Sequence, residues 1–263
     1  MTIYKIKFGP AGLGSVKDAE KTLLFLKENG LEACEIAFTY GVYINKEEAE
    51  KISKIAKDLG ISLSIHAPYW INLNSEEPEK IEKSKQRIVK CLEIGTYLNA
   101  KCVVFHAGFY GKKSKKETYE NIKNEILKLQ EIKKKNKYTP ELAPETMGKI
   151  NVFGSIEEIA LLVKDTKCFA CIDFAHILAR SNGDYKFKET LRLFENLKEL
   201  HIHFSGIDYG IKGEKNHKKT SDEELHKLIS NLPKNKNTVV INESPDMIND
   251  SINALKIFKK LNQ

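Results

Sequence analysis

The sequence predicts an α/β fold, a single closed barrel of eight parallel strands, each followed by a helix, running over residues 1–263 as one domain. Three observations carry this expectation. Strand-like and helix-like segments alternate eight times with little chain between them, the pattern of a parallel sheet. The length of 263 residues is close to the roughly 250 that a (β/α)₈ or TIM barrel takes. Apolar runs also stop repeatedly at a residue able to hold a metal: SLSI-His66, CVVF-His106, ELAP-Glu145, ACI-Asp173, LHI-His203 and VVIN-Glu243. In such a barrel the functional groups sit at the carboxyl ends of the strands and converge over one pocket.

The elements follow in order. Ile3–Phe8 is apolar at alternate positions, and Ser15–Asn29 has helical spacing with a stop at Gly30. Ala33–Phe38 then pairs with the helix Lys46–Leu59, ended by Gly60, and Ile61–Ala67 with Glu79–Leu98. Cys102–His106 precedes the lysine-rich helix Lys115–Lys134, and Thr139–Glu145 precedes Ser155–Lys164. In that last helix Ser155 and Glu158 have the spacing of a capping box. Phe169–Phe174 leads to Phe187–Asn196, Glu199–Phe204 to Asp222–Ser230, and Thr238–Glu243 to Ile248–Leu261. Three segments remain as loops, Phe109–Lys116, Ser181–Tyr185 and Ser205–Ser221, all following strands. Gly9 and Gly12 are read as a turn after the first strand that permits close backbone approach.

Composition excludes several classes. The start, MTIYKIKFGP, lacks a signal-peptide core, and no apolar run approaches the roughly 20 residues of a membrane span. A cytoplasmic protein without membrane association is expected, with a monomer favoured. Five dispersed cysteines do not make a disulfide framework. Cys168 and Cys171 form a CxxC, but in an extended chain they point to opposite faces and are read as packing residues. The net charge of +7 suits a partner with phosphates.

His176, three residues after Asp173, and His217, in a Gly- and Lys-rich stretch, extend the metal-binding set, so five of the seven histidines belong to it. Histidine and carboxylate ligands without thiolates suit Zn²⁺, or Mn²⁺, in a catalytic setting. So large a collection points to more than one cation, and clustered cations can clamp a phosphodiester. His201 shares a face with His203 one layer deeper and is read as core or support. His226 is read as structural, and Glu35, facing the barrel interior, is left without a role.

HAPYWINL (His66–Leu73), FHAGFYG (Phe105–Gly111), PETMGK (Pro144–Lys149), DFAH (Asp173–His176), HIHFSGI (His201–Ile207), GEKNH (Gly213–His217) and ESP (Glu243–Pro245) resemble the endonuclease IV family of apurinic/apyrimidinic endonucleases. They resemble most its compact archaeal-type members, in family order across nearly the whole chain. The resemblance implies a (β/α)₈ barrel with three zinc ions that cleaves double-stranded DNA 5′ to an abasic site in base excision repair. It implies that His66, His106 and Glu145 hold one zinc, that Glu145 bridges to a second held by Asp173, His203 and Glu243, and that His176 and His217 serve the third. Glu145 is the catalytic candidate among them. Tyr69 matches an aromatic residue that the family inserts into DNA.

Two departures from the family pattern stand out. The third zinc usually takes an Asp-x-His pair, whereas Lys215 occupies that acidic position here and Glu214 is the nearest acid. The loop Thr39–Asn45, which carries a second inserting side chain in longer members, is short. Lys212 and Lys215 are DNA-backbone candidates at the mouth, with Lys112, Lys113, Lys218 and Lys219 in the same loops. Trp70 and Tyr110 are candidates for stacking on an unpaired sugar or base. Two other readings use the same residues. A sugar isomerase or epimerase would need only Glu145, Asp173, His203 and Glu243 around one metal. A lesion-binding protein without catalysis would keep the barrel and the positive face.

Overall fold

Helix starts are set by polar caps. Asn45, Ser155 and Ser221 each accept the main-chain N–H of the glutamate three residues on, and that glutamate accepts the N–H of the cap. Each unit then ends in a tight turn that returns the chain to the next strand; at Gly60 the backbone is left-handed, as a helix C-terminus favours.

The computed structural model describes residues 4–262. Its elements run β1 (Ile6–Pro10), α1 (Ala19–Glu28), β2 (Ala33–Ala37), α2 (Lys46–Leu59), β3 (Ser62–His66), α3 (Pro78–Tyr97), β4 (Cys102–Phe105), α4 (Lys115–Asn136), β5 (Glu141–Pro144) and α5 (Ile156–Thr166). They continue with β6 (Cys171–Asp173), α6 (Phe174–Arg180), α7 (Phe187–Leu193), β7 (Glu199–Phe204), β8 (Gly206–Gly210), β9 (Gly213–Lys218), α8 (Asp222–Asn231), β10 (Asn237–Asn242) and α9 (Met247–Leu261).

Eight strands are parallel, in the orders β1-β10-β7-β6 and β2-β3-β4-β5. A bridge between Glu145 and Cys171 joins the two sheets at one seam. At the other, Glu32 donates to Phe8 O at 3.2 Å. Gly9 makes that second seam possible, because a Cβ there would sit 1.8 Å from Ala33 O. The single-domain TIM barrel expected from the sequence is the fold observed.

Side chains alternate along each strand. Leu63, Ile65, Val103, Phe105, Leu142 and Ile172 pack outward in the main core with the helices, while Cys102, Val104, Ala143 and Cys171 form a separate small cluster inside. The inward positions of the neighbouring strands are polar: Glu35, Ser64 and His201 are all buried. Among the described residues, no helix is long and apolar enough to cross a membrane.

Several expectations need correction. Ile3 lies outside the described residues, and β1 extends to Pro10, so Gly9 is within the strand rather than in a turn after it. The first helix opens with a 3₁₀ turn at Val16–Asp18, where Ser15 Oγ accepts the Asp18 N–H. The strand at 169–174 shortens to three residues because Asp173 caps a helix, α6, that the periodicity did not reveal. The stretch expected as the loop Ser205–Ser221 is largely the antiparallel hairpin β8–β9. Its glycines and lysines hide the alternation that marks a strand.

Candidate metal centre

The strand ends deliver the ligand-type side chains to one place. His66 and Asp173 are the last residues of β3 and β6, His203 is the penultimate residue of β7, and His106, Glu145 and Glu243 immediately follow β4, β5 and β10. The hairpin β8–β9 folds over this end and adds Glu214 and His217.

Among the described residues the ligand-type atoms fall into four groups: three at the mouth, namely His66, His106 and Glu145, then Glu145, Asp173, His203 and Glu243, then His176, Glu214 and His217, and a fourth that joins His203 to Cys171 and His201 further down β6 and β7. Glu145 belongs to two. Its Oε2 lies 3.3 Å from His66 Nε2 and 3.1 Å from His106 Nε2. Its Oε1 lies 3.3 Å from His203 Nδ1, which is also 3.3 Å from Glu243 Oε1. His176 Nε2 is 3.5 Å from Glu214 Oε2. Ligands bonded to a tetrahedral zinc at about 2.0–2.2 Å stand roughly 3.3–3.5 Å from one another, which matches these separations.

Unmet polar atoms point the same way. Glu145 Oε1, Asp173 Oδ2 and His203 Nδ1 are buried without a hydrogen-bond partner. Leaving such groups unpaired is costly, and a cation among them would satisfy all three. The residues therefore fit a multinuclear metal site.

The imidazoles are aimed by their second nitrogens. His66 Nδ1 is 2.8 Å from Ala67 O and His176 Nδ1 is 3.0 Å from Thr146 O, distances at which each N–H donates to a carbonyl and leaves Nε2 free. His217 Nδ1 is held at 2.7 Å by Ser205 Oγ. His203 is turned the other way, with Nε2 at 2.9 Å from Glu35 Oε1 and Nδ1 toward Glu145 and Glu243. Sequence reading left Glu35 without a role. Its inward parity, opposite the inward His201 and His203, was the available signal.

Glu214 and His217 are three residues apart, a spacing that puts side chains on opposite faces of a plain strand. The hairpin register resolves this. Tyr209 pairs with Glu214 and Ile207 with His217, so Lys215 is an extra, bulged residue beside the shift at Asp208/Tyr209. The bulge restores alternation and brings Glu214 and His217 to one face. Gly213 at the turn is also required, since a Cβ there would meet Gly148 O at 2.1 Å.

Charge within the cluster is strongly coupled. Burial would raise the Glu145 carboxyl, but His106, His176, His203 and His66 hold it well below the ordinary carboxylate value. Burial raises Asp173 more than the nearby His176 lowers it, and Glu145 and Glu243 add to the rise, so its carboxyl is pushed up to about 6. Burial would lower His66, but the Glu145 carboxylate raises it to about 9.

A cleft of about 530 Å³ opens above the site, lined by Tyr69, His106, Phe109, Lys149, His176 and His217 among others. Tyr69 is 55% exposed in the cleft lining, with its ring 5.8 Å from that of His106, and the next residue, Trp70, is 61% exposed. Tyr110 is no stacking platform: its hydroxyl binds Glu158 at 2.8 Å and its ring packs beside Phe153. Lys218 and Lys219 pair with Asp208 and Asp246, and Lys113 is tied to Asn74. Lys212 and Lys215 are exposed on the hairpin. Lys149, which lines the cleft, was not singled out as a lysine contact. His226 lies on α8 beside Ser230, outside the site.

A profile of the family described as xylose isomerase-like TIM barrel matches residues 23–258. An uncharacterized protein of Methanocaldococcus jannaschii is 36% identical over 97% of both chains. A probable endonuclease 4 of Mycoplasmopsis pulmonis is 31% identical over 56% of this chain and 55% of its own. Among solved structures, endonuclease IV from Thermus thermophilus superposes with a TM-score of 0.73 at 22% identity, covering 97% of this chain and 98% of that one. A D-tagatose 3-epimerase-like protein superposes at 0.71 with 20% identity, covering 97% and 96%. At these identities the structural likenesses speak for the fold alone.

Proposed function

The chain belongs to the xylose isomerase-like TIM barrel family, and from that premise we propose that it is a zinc-dependent endonuclease that hydrolyses the phosphodiester 5′ to an abasic site in DNA. The observation that carries this reading is the count of ligand groups. Three groups meet at the mouth and two share Glu145, the arrangement expected of a site that grips a phosphate rather than a single sugar hydroxyl pair.

Clustered cations, once bound, would neutralise phosphate charge and supply a water acidic enough to attack at neutral pH. The remaining work falls to the protein. Glu145 offers one oxygen to each of two groups and so fixes their spacing. Asp173, His203 and Glu243 complete the second group, and His176, Glu214 and His217 the third. Tyr69, exposed beside His66 and His106, would fill the gap that a flipped nucleotide leaves in the stack. Extruding an abasic nucleotide costs less than extruding a paired base, which gives selectivity. Lys149 in the cleft, with Lys212 and Lys215 on the hairpin, would meet backbone phosphates.

The second reading, a sugar epimerase or isomerase, is favoured by one observation: Glu145, Asp173, His203 and Glu243 form a complete single-cation set by themselves. It leaves His66, His106, His176 and His217 without work. Incubating the zinc-loaded protein with a duplex carrying one abasic analogue, alongside a count of bound zinc, separates the two. Nicking with about three zincs per chain supports the nuclease; one zinc and no nicking would discard it in favour of sugar chemistry.

A further inference from the structure

We propose that Glu35 is the positioning residue of the metal centre, fixing His203 in the tautomer that presents Nδ1 to Glu145 and Glu243. Glu35 lies in β2 on the inner wall of the barrel, paired in register with Ser64 of β3. It is fully buried, as are His201 and His203 of β7 across the barrel. A buried carboxylate is expensive unless closely partnered, and its partners here are specific. Ser64 Oγ donates to Glu35 Oε2 at 2.8 Å, and His201 Nε2 stands 2.9 Å from the same oxygen. The other oxygen, Oε1, is 2.9 Å from His203 Nε2, a close approach out of line with the ring N–H, and neither of those two atoms has a hydrogen-bond partner elsewhere.

A neutral imidazole carries one N–H and one lone pair. With Glu35 facing Nε2, the proton belongs on Nε2 and the lone pair on Nδ1, the atom 3.3 Å from both Glu145 and Glu243. The opposite tautomer would aim an N–H at those carboxylates and remove His203 from the ligand set. His201 and Ser64 hold Glu35 from the far side, so the arrangement spans the barrel from wall to centre. Cys171, His201 and His203 also stand close enough to hold a cation among themselves. Glu35 stands 2.9 Å from a ring nitrogen of each of those two histidines and would compete with such a cation for them.

The inference rests on the metal-dependent reading above, and the test separates the two. Zinc affinity and stoichiometry are measured on the full chain by titration against a chromophoric chelator for wild type, Glu35→Ala, Glu35→Gln and Cys171→Ser, with the melting temperature of each zinc-free protein. Wild type should take three zincs. Glu35→Ala should lose 10–100-fold in affinity at one of them and keep the other two, Glu35→Gln should recover part of the loss through its amide oxygen, and Cys171→Ser should match wild type. Histidine side-chain nitrogen NMR of the zinc-loaded wild type should show the His203 proton on Nε2, and this decides the matter if Glu35→Ala does not fold. Wild-type affinity in Glu35→Ala, parallel loss of all three zincs by a Glu35→Ala that keeps the wild-type zinc-free melt, or a zinc lost in Cys171→Ser would each overturn the assignment. Three zincs with the His203 proton on Nδ1 sinks the role of Glu35 alone; a wild type that binds no zinc sinks both proposals.

Discussion

Asp173 meets His176 at two points. Its Oδ1 accepts the His176 main-chain N–H at 2.8 Å as the N-cap of α6, while its Oδ2, 3.3 Å from the His176 ring, is left facing the cluster. One side chain therefore starts a helix and serves the site. Asp173→Asn should keep the cap, since asparagine caps as well as aspartate, yet weaken cation binding. Asp173→Ala should lose both, with a further destabilisation of about 1 kcal/mol. Comparing zinc-free melts of the two variants with their zinc content checks the division; equal melts would remove the capping role.

Glu145 and Tyr69 should separate cleanly. Glu145→Ala should lower zinc content by two and abolish cleavage, because its carboxylate joins two groups. Tyr69→Ala should keep all its zinc and bind lesion DNA more weakly. Zinc analysis beside a DNA-binding titration reads both, and matched zinc loss in the two variants contradicts the assignment.

The bulge at Lys215 makes a length prediction. Deleting Lys215 should leave Glu214 and His217 on one face, two residues apart in a regular strand. With the one-residue bulge kept, inserting one glycine after Lys215 should turn them to opposite faces and weaken the third zinc by at least tenfold, a loss comparable to that of a ligand's supporting contact. An insertion variant with three tight zincs would show that the hairpin register does not set this group.

Protons and cations compete at His66. Its pKa stands at about 9 in the zinc-free protein, against an ordinary 6.5. The group's contribution to folding is therefore fully present below about pH 6.5 and lost as pH rises through about 9. Zinc must displace the same proton, so zinc affinity should rise across that window. The zinc-free melting temperature and the zinc dissociation constant should both fall from pH 6.5 to 9. A flat zinc affinity would disprove the competition.

Binding to abasic duplex should weaken steeply with salt, because lysines at the mouth release counterions from the phosphates they meet. Lys149→Ala and Lys215→Ala should each reduce the slope of log affinity against log salt by about 1. Unchanged slopes would place the DNA elsewhere.

The sequence by itself determined the alternation of strands and helices and the histidines and carboxylates at strand ends, because strand parity and caps act over a few residues and are written locally. His66, His106, Glu145, Asp173, His203 and Glu243 are thus legible as ligand-type side chains in the sequence alone. What only the tertiary structure decided depends on contacts between distant segments. The opposed tautomers of His66 and His203 come from Ala67 O on one side and Glu35 on the other. The pairing of Glu214 with His217 comes from a bulge whose register is set by the partner strand. The engagement of the Tyr110 hydroxyl by Glu158 and of Lys218 by Asp208 is set in the same way by other segments. Orientation of a side chain is fixed by what stands across from it, and a linear sequence does not state which residue that is.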